Sequence, residues 1–281
     1  MRIHHLNCGT LCPVSRAAFS AQDPWLGAWF EKGETVCHCL LIETEAGLVL
    51  VDTGLGVDQV KRKAISPLLD IFSPPRYDMQ ETAYEQVRAL GFDPQDVRHI
   101  ILTHLDLDHA GALVDFPQAK VHLHRWEYKS VKQSPGPMEA LRYAPALWQH
   151  GVKWQTYEPL GEDWFGFEAV RPLVGLPEDI LLIPLPGHSK GHSGIAVKTE
   201  RGWILHCGDA YFDPRQLQLP IPQCAPGLLA LQLLESSNHV LWLQNLWRLA
   251  QLKIYHSEVE LFCSHDTEAF KRLKKHAQTI S

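Results

Sequence analysis

Four times in this chain an apolar run stops at a histidine or an aspartate. HIIL at 99–102 leads into THLDLDHAG at 103–111, which sets His104, Asp106, Asp108 and His109 within six positions. ILLIPL leads into PGHSKGHSG and His188, WIL into HCGDAY and Asp209, and LF into CSHD and His265. A short apolar run bounded by turn residues reads as a buried strand. Four strand ends therefore each present an imidazole or a carboxylate, in the kind of loop where a rigid scaffold carries chemistry. Such groups crowd unfavourably unless a cation sits among them. Their nitrogen and oxygen donors suit zinc, manganese or iron better than calcium or magnesium. Strands distant in the chain must therefore end side by side.

The remaining pattern supplies the scaffold. Residues 36–44 (VCHCLLIET) and 48–52 (LVLVD) flank a turn at Glu45-Ala46-Gly47 and read as a β-hairpin. Further strands are expected at 99–102, 120–124, 180–185, 194–198, 203–207 and 260–263, with a second hairpin turn at Arg201-Gly202. Helical periodicity covers 82–90, with Gly91 as its stop, and 238–252, with Asn238 as N-cap. A last helix at 266–277 carries its basic residues toward the C-terminal half, as the helix dipole favours. Two stacked sheets with helices outside are the expected layers. The segment 134–177 is the least regular, is rich in Pro, Trp and Tyr, and reads as an insertion capping a substrate site within one domain spanning 1–281.

Composition excludes several classes. The net charge is −6, and no basic run stands out apart from the short KRLKK at 271–275, so nucleic-acid binding through a basic face is not expected. The apolar stretches at 227–234 and 240–252 are short, or are broken by Glu235, Gln244 and Arg248, so no membrane span is expected. The start, MRIHHLNCGT, lacks a secretory pattern, and seven cysteines without a regular framework fit reduced thiols. A cytoplasmic protein is expected, with a small-molecule substrate and a second copy of the chain as partners. His4, His5, His122 and His124 read as strand histidines, His192 as a supporting or surface residue, and Cys8, Cys12, Cys37 and Cys39 as buried thiols.

Taken together, the ordered ligands resemble the metallo-β-lactamase superfamily, whose central motif is His-x-His-x-Asp-His followed by His, Asp and His on later strand ends. The step Asp52-Thr53-Gly54 after LVLV is similar too, and the likeness runs from Val36 to Asp266. The resemblance implies an α+β fold, an αββα four-layer sandwich with the site at one edge between the sheets. Within the superfamily, the bacterial lactonases that open N-acyl homoserine lactones are nearest in length and layout. By position, the resemblance assigns His104 and His188 to a first metal and Asp108, His109 and His265 to a second, with Asp209 bridging. Asp106 stands where the family motif has its second histidine. As a ligand it would favour iron or manganese over zinc; otherwise it lies beside the ligands or weakens the first position.

The chemistry implied is hydrolysis. Two divalent ions about 3.5–4 Å apart share a bridging water, lower its pKa and aim the hydroxide at a carbonyl or phosphoryl centre. Asp108 is the candidate proton acceptor, Asp209 fixes the spacing, and Tyr211 is a candidate donor to the developing oxyanion. The aromatics of DPWLGAWF (Trp25, Trp29, Phe30) and of the irregular middle (Trp148, Trp154, Tyr157, Trp164, Phe165, Phe167) are candidate walls for an acyl chain. The expected reaction is the opening of a small ester-like bond, a lactone first. A phosphodiester, phosphotriester or thioester is the alternative within the same chemistry, and a non-catalytic metal-binding or sensor protein the alternative outside it.

Overall fold

The computed structural model describes residues 1–19, 31–132, 142–158, 160–168 and 173–279. Strands β1 (Arg2–Leu11), β2 (Thr35–Thr44) and β3 (Gly47–Val51) pair antiparallel. Strands β4 (Val97–Ile101), β5 (Lys120–His124) and β6 (Lys153–Tyr157) then add in parallel, giving a six-stranded sheet in chain order. After the small hairpin of β7 (Asp163–Trp164) and β8 (Phe167–Glu168) comes the second sheet. It is built from β9 (Ile180–Pro184), β10 (Ser193–Thr199), β11 (Gly202–His206) and β12 (Val259–Phe262), in the order β12-β11-β10-β9. The two sheets face each other through Leu40, Ile42, Val49, Ile101, Leu182 and Ile195.

Period-two alternation sorts the side chains of β2. Leu40 and Ile42 enter the layer between the sheets, while Cys39 and Leu41 enter the outer layer, and all four are buried. A strand covered on both faces has to be apolar at every position, which is why CLLI is unbroken. Burial of each such side chain stabilises by roughly 1.5–3 kcal/mol.

The helices are α1 (Arg16–Phe19), α2 (Val57–Arg62), α3 (Pro67–Phe72), α4 (Ala83–Ala89), α5 (Arg125–Lys132), α6 (Pro226–Glu235), α7 (His239–Tyr255) and α8 (Thr267–Thr279). Ala83 and Val87 of α4 cover the outer face of the larger sheet. Trp242, Leu246 and Leu249 of α7 cover the outer face of the smaller one. Ala269 and Leu273 of α8 plug the open end between the sheets beside β1 and β2. Four layers result, as the sequence led us to expect. Asn238 and Gly91 act as the expected caps, and Thr82 adds a further one. Thr82 Oγ1 accepts from the Glu85 amide at 3.3 Å, Asn238 Oδ1 from the Val240 and Leu241 amides at 3.1 Å, and Gly91 takes a φ of +88°.

Of the irregular middle, residues 134–141, 159 and 169–172 lie outside the described residues. Part of 134–177 is β6, the sixth strand of the larger sheet. Trp148 and Trp154 pack on the outer core of that sheet, and Trp164, Phe165 and Phe167 on the core of the other. These aromatics fill core volume. Trp25, Trp29 and Phe30 lie outside the described residues.

Candidate metal centre

The centre begins at the turn after β3. Asp52 and Gly54 both adopt left-handed backbone, with φ of +54° and +64°. A Cβ on Gly54 would lie 2.1 Å from the Cys8 carbonyl oxygen, so only glycine fits this approach. The turn aims the buried Asp52 carboxylate across to the loop after β4. There it accepts from the Thr103 amide, the Thr103 hydroxyl and His109 Nδ1, each at 2.8 Å.

These bonds decide which ring nitrogen faces inward. His109 must carry its proton on Nδ1 to donate to Asp52. The Thr103 hydroxyl spends its proton on Asp52, so it accepts from His104 Nδ1 at 2.9 Å. His265 donates from Nδ1 to the Val36 carbonyl at 2.8 Å. All three rings therefore turn Nε2 toward Asp209. The separations from its carboxylate oxygens are 3.8 Å for His104, 3.4 Å for His109 and 3.4 Å for His265, with His188 Nε2 at 3.8 Å. Asp108 Oδ2 lies 3.8 Å from His109 Nε2 and 3.6 Å from His265 Nε2.

Donors on a tetrahedral ion at bonds of about 2.1 Å stand about 3.4 Å apart, so these gaps suit an ion rather than direct hydrogen bonds. Three three-residue groups emerge among the described residues, and two of them, His104–His188–Asp209 and His109–Asp209–His265, share Asp209. His104 Nε2, His109 Nε2 and Asp209 Oδ1 are buried with no hydrogen-bond partner, a costly arrangement that a cation relieves. The residues fit divalent ions.

Charge follows the same logic. Burial alone would raise the Asp209 carboxyl, yet His109 and His265 beside it hold it well below the usual carboxylate range. Burial opposes a charged His265, but Asp209 and Asp108 lift the imidazole to about 9.

Supporting residues hold the loops. His192 Nδ1 donates to the Leu185 carbonyl at 3.0 Å, and its Nε2 accepts from the Asp209 amide at 2.9 Å, fixing the turn that carries the shared ligand. It is a buried supporting residue, not a surface one. Glu127, which the sequence did not single out, accepts from the Leu105 amide at 3.1 Å, the Ser189 hydroxyl at 2.6 Å and the Gly191 amide at 3.0 Å. It ties the His104 loop to the His188 loop. Cys37 is a buried free thiol, yet its Sγ lies 4.0 Å from Asp108 Oδ2, in a group with Asp108 and His265.

Two of the expected site residues sit differently. Tyr211 is buried in the core under α7, and its hydroxyl engages Cys207. The ring fills core volume rather than lining the cleft. Asp106 faces Arg142, whose Nε lies 3.1 and 3.0 Å from the two carboxylate oxygens and whose Nη2 lies 2.8 Å from Oδ2. Burial would raise Asp106, but Arg142 and His104 hold it well below the carboxylate range. Arg142 had no signal in the sequence beyond an unpaired carboxylate in need of a partner.

The ligands open onto a cleft of about 370 Å³. Asp106, Asp108, Arg142, Asp209 and His265 lie at its floor, and Leu11, Phe72, Phe212, Leu228, Leu231 and Leu234 line its walls. Helix α6 supplies three of those leucines, so the apolar wall comes from α6 and not from the aromatic middle.

Strand-end imidazoles and carboxylates from two facing sheets, converging on a shared aspartate, define a metal centre of the hydrolytic αββα kind. The chain belongs to the metallo-β-lactamase superfamily, whose family model matches residues 33–255. It is 35% identical over 274 residues to a probable metallo-hydrolase of Mycobacterium tuberculosis, covering 96% of this chain and 82% of that one. An N-acyl homoserine lactonase of Agrobacterium fabrum is 28% identical over 201 residues, 70% of this chain and 71% of that one. In three dimensions the chain is similar to an N-acyl homoserine lactone hydrolase solved with N-hexanoyl-L-homoserine at its catalytic metal centre. The TM-score is 0.71 at 21% identity, covering 96% of this chain and 95% of that one.

Proposed function

We propose that this hydrolase opens the ring of a lactone carrying an apolar acyl chain, of the N-acyl homoserine lactone type. The observation that carries the reading is the junction of the metal centre with the leucine-lined cleft. A carbonyl at the floor meets the ligand cluster while an acyl tail runs along α6. The family relationship supports hydrolysis, and the lactonase relatives support a cyclic ester.

A divalent ion held by these residues acidifies water and polarises an acyl oxygen. His109, His265, Asp108 and Asp209 would hold one ion; His104 and His188, with Asp209 shared, a second. Zinc is the reading we favour for both. The protein's own part is proton transfer and orientation. Asp108 lies at the cleft floor, where its carboxylate takes a proton from the attacking water. As the ring C–O bond breaks, that proton passes to the leaving alkoxide, leaving a hydroxy acid. Asp209 keeps the rings converged, and the leucines exclude bulk water. We place the protein in the cytoplasm, a reading its seven free cysteines support.

The test is a panel of lactones of increasing acyl length alongside a thioester, a phosphodiester and a phosphotriester. Lactone turnover with kcat/KM rising with chain length is expected. Chelation should abolish it and added zinc restore it. Asp209→Ala should lower it by at least a hundredfold while the far-UV spectrum stays native. Full lactone turnover by Asp209→Ala, or hydrolysis confined to the phosphoesters, would overturn the assignment.

A further inference from the structure

Arg142 lies among the donors of the first metal position. Its Nη2 is 2.6 Å from His188 Nε2, the very atom that position requires, and 2.8 Å from Asp106 Oδ2. Its Nη1 donates to the Glu235 carbonyl at 2.6 Å and to the His188 carbonyl at 3.2 Å, anchoring the guanidinium to α6 and to the His188 loop. Its side chain is only 9% exposed, so the group is built in rather than folded over from the surface.

Asp106, Asp108 and Asp209 bring three negative charges to the cluster, Asp52 behind His109 brings a fourth, and Arg142 returns one positive charge at the first position. At the other position no Lys or Arg side chain intrudes among the described residues; His109 Nε2 there, like His104 Nε2 at the first position, stands without a partner.

We propose that Arg142 acts as a resident cation at the first metal position. The centre thus takes one divalent ion tightly through Asp108, His109, Asp209 and His265, and admits a second only when the guanidinium leaves His188. Asp106 is then the anchor of that cation, which accounts for a carboxylate at a position where a histidine would leave the guanidinium without a counter-ion. The inference rests on reading the cluster as a hydrolytic metal centre, but its test needs no substrate.

Chelator-stripped full-length protein would be titrated with zinc by calorimetry, and bound metal counted by elemental analysis after dialysis. For the native chain we expect one tight equivalent and a second at least a hundredfold weaker. Arg142→Met frees His188 and Asp106 and should tighten the second equivalent by tenfold or more. Arg142→Lys, which keeps the charge without the planar fork, should fall between. Thermal melts of each variant identify any that fail to fold, and the native titration stands without them. Two equivalents of similar affinity in the native chain would overturn the proposal. So would a folded Arg142→Met whose second equivalent stays as weak as before. A chain that opens lactones yet fails this titration loses the inference and keeps its proposed function.

Discussion

Asp52 shows how much of the centre depends on residues that never face an ion. Its two oxygens receive three hydrogen bonds, and one of them fixes the ring of His109. A carboxylate behind a ligating histidine orients the ring and raises its basicity. In Asp52→Asn one oxygen becomes an NH2 group, so the Thr103 amide, the Thr103 hydroxyl and His109 Nδ1 can no longer all be accepted. We expect metal affinity to fall by roughly 10- to 100-fold while the chain still folds. Competition against a chromophoric chelator measures this, and an unchanged affinity would show that Asp52 serves the turn alone. The candidate ligands were legible because they follow strand ends and together recur in a fixed order. Arg142 and Glu127 were not. Each joins loops distant in the chain, and nothing in the local sequence marks the partner. Tyr211 was misread for a related reason, since sequence spacing does not tell which side of a tight turn a side chain takes.

At the scale of the element, strands β4 to β6 carry a buried polar line across the larger sheet. His99 Nδ1 meets His122 Nε2 at 2.9 Å, and His122 Nδ1 meets the Tyr157 hydroxyl at 2.7 Å. Burial, with His99 and Lys120 nearby, drives His122 down to about 3. An unfolded histidine titrates near 6.5. The folded value is the lower one, so the unfolded chain binds the extra proton first. The stability that neutral His122 contributes is complete above about pH 6.5 and is lost as the pH falls toward 3, at about 1.4 kcal/mol per pH unit. Urea midpoints of chelator-stripped protein should therefore fall between pH 7 and pH 5. His122→Gln should show a shallower fall, smaller by about one proton; identical slopes for variant and native protein would refute this. Strands β4 and β5 were readable from apolar runs and turn residues. The sixth strand was not, because KWQTY has only Tyr157 fully buried and shows no apolar alternation. Helix α6 escaped for the opposite reason. Its leucines stand on several faces because one side meets the cleft, so no clean stripe shows.

Across the whole molecule the centre is a clasp between sheets. His104, Asp108 and His109 extend from the six-stranded sheet; His188, Asp209 and His265 extend from the four-stranded one. No disulfide joins the two, since all seven cysteines are free, and the layer between the sheets is otherwise held by apolar contact. An ion shared across that edge binds the folded state and not the unfolded one, so it adds stability by mass action. At a free concentration a thousand times the dissociation constant the gain is about 4 kcal/mol. For a chain of this size each kcal/mol moves the midpoint by roughly 2–4 °C. Stripping the metal should therefore lower the melting temperature by about 10 °C, and zinc should restore it. Asp209→Ala, which takes the shared ligand from both positions, should melt near the stripped value and respond little to zinc. Differential scanning calorimetry with and without chelator decides the matter. A native chain whose melting temperature ignores chelation would mean that the two sheets hold their edge without an ion, and that the convergence of these side chains has another cause.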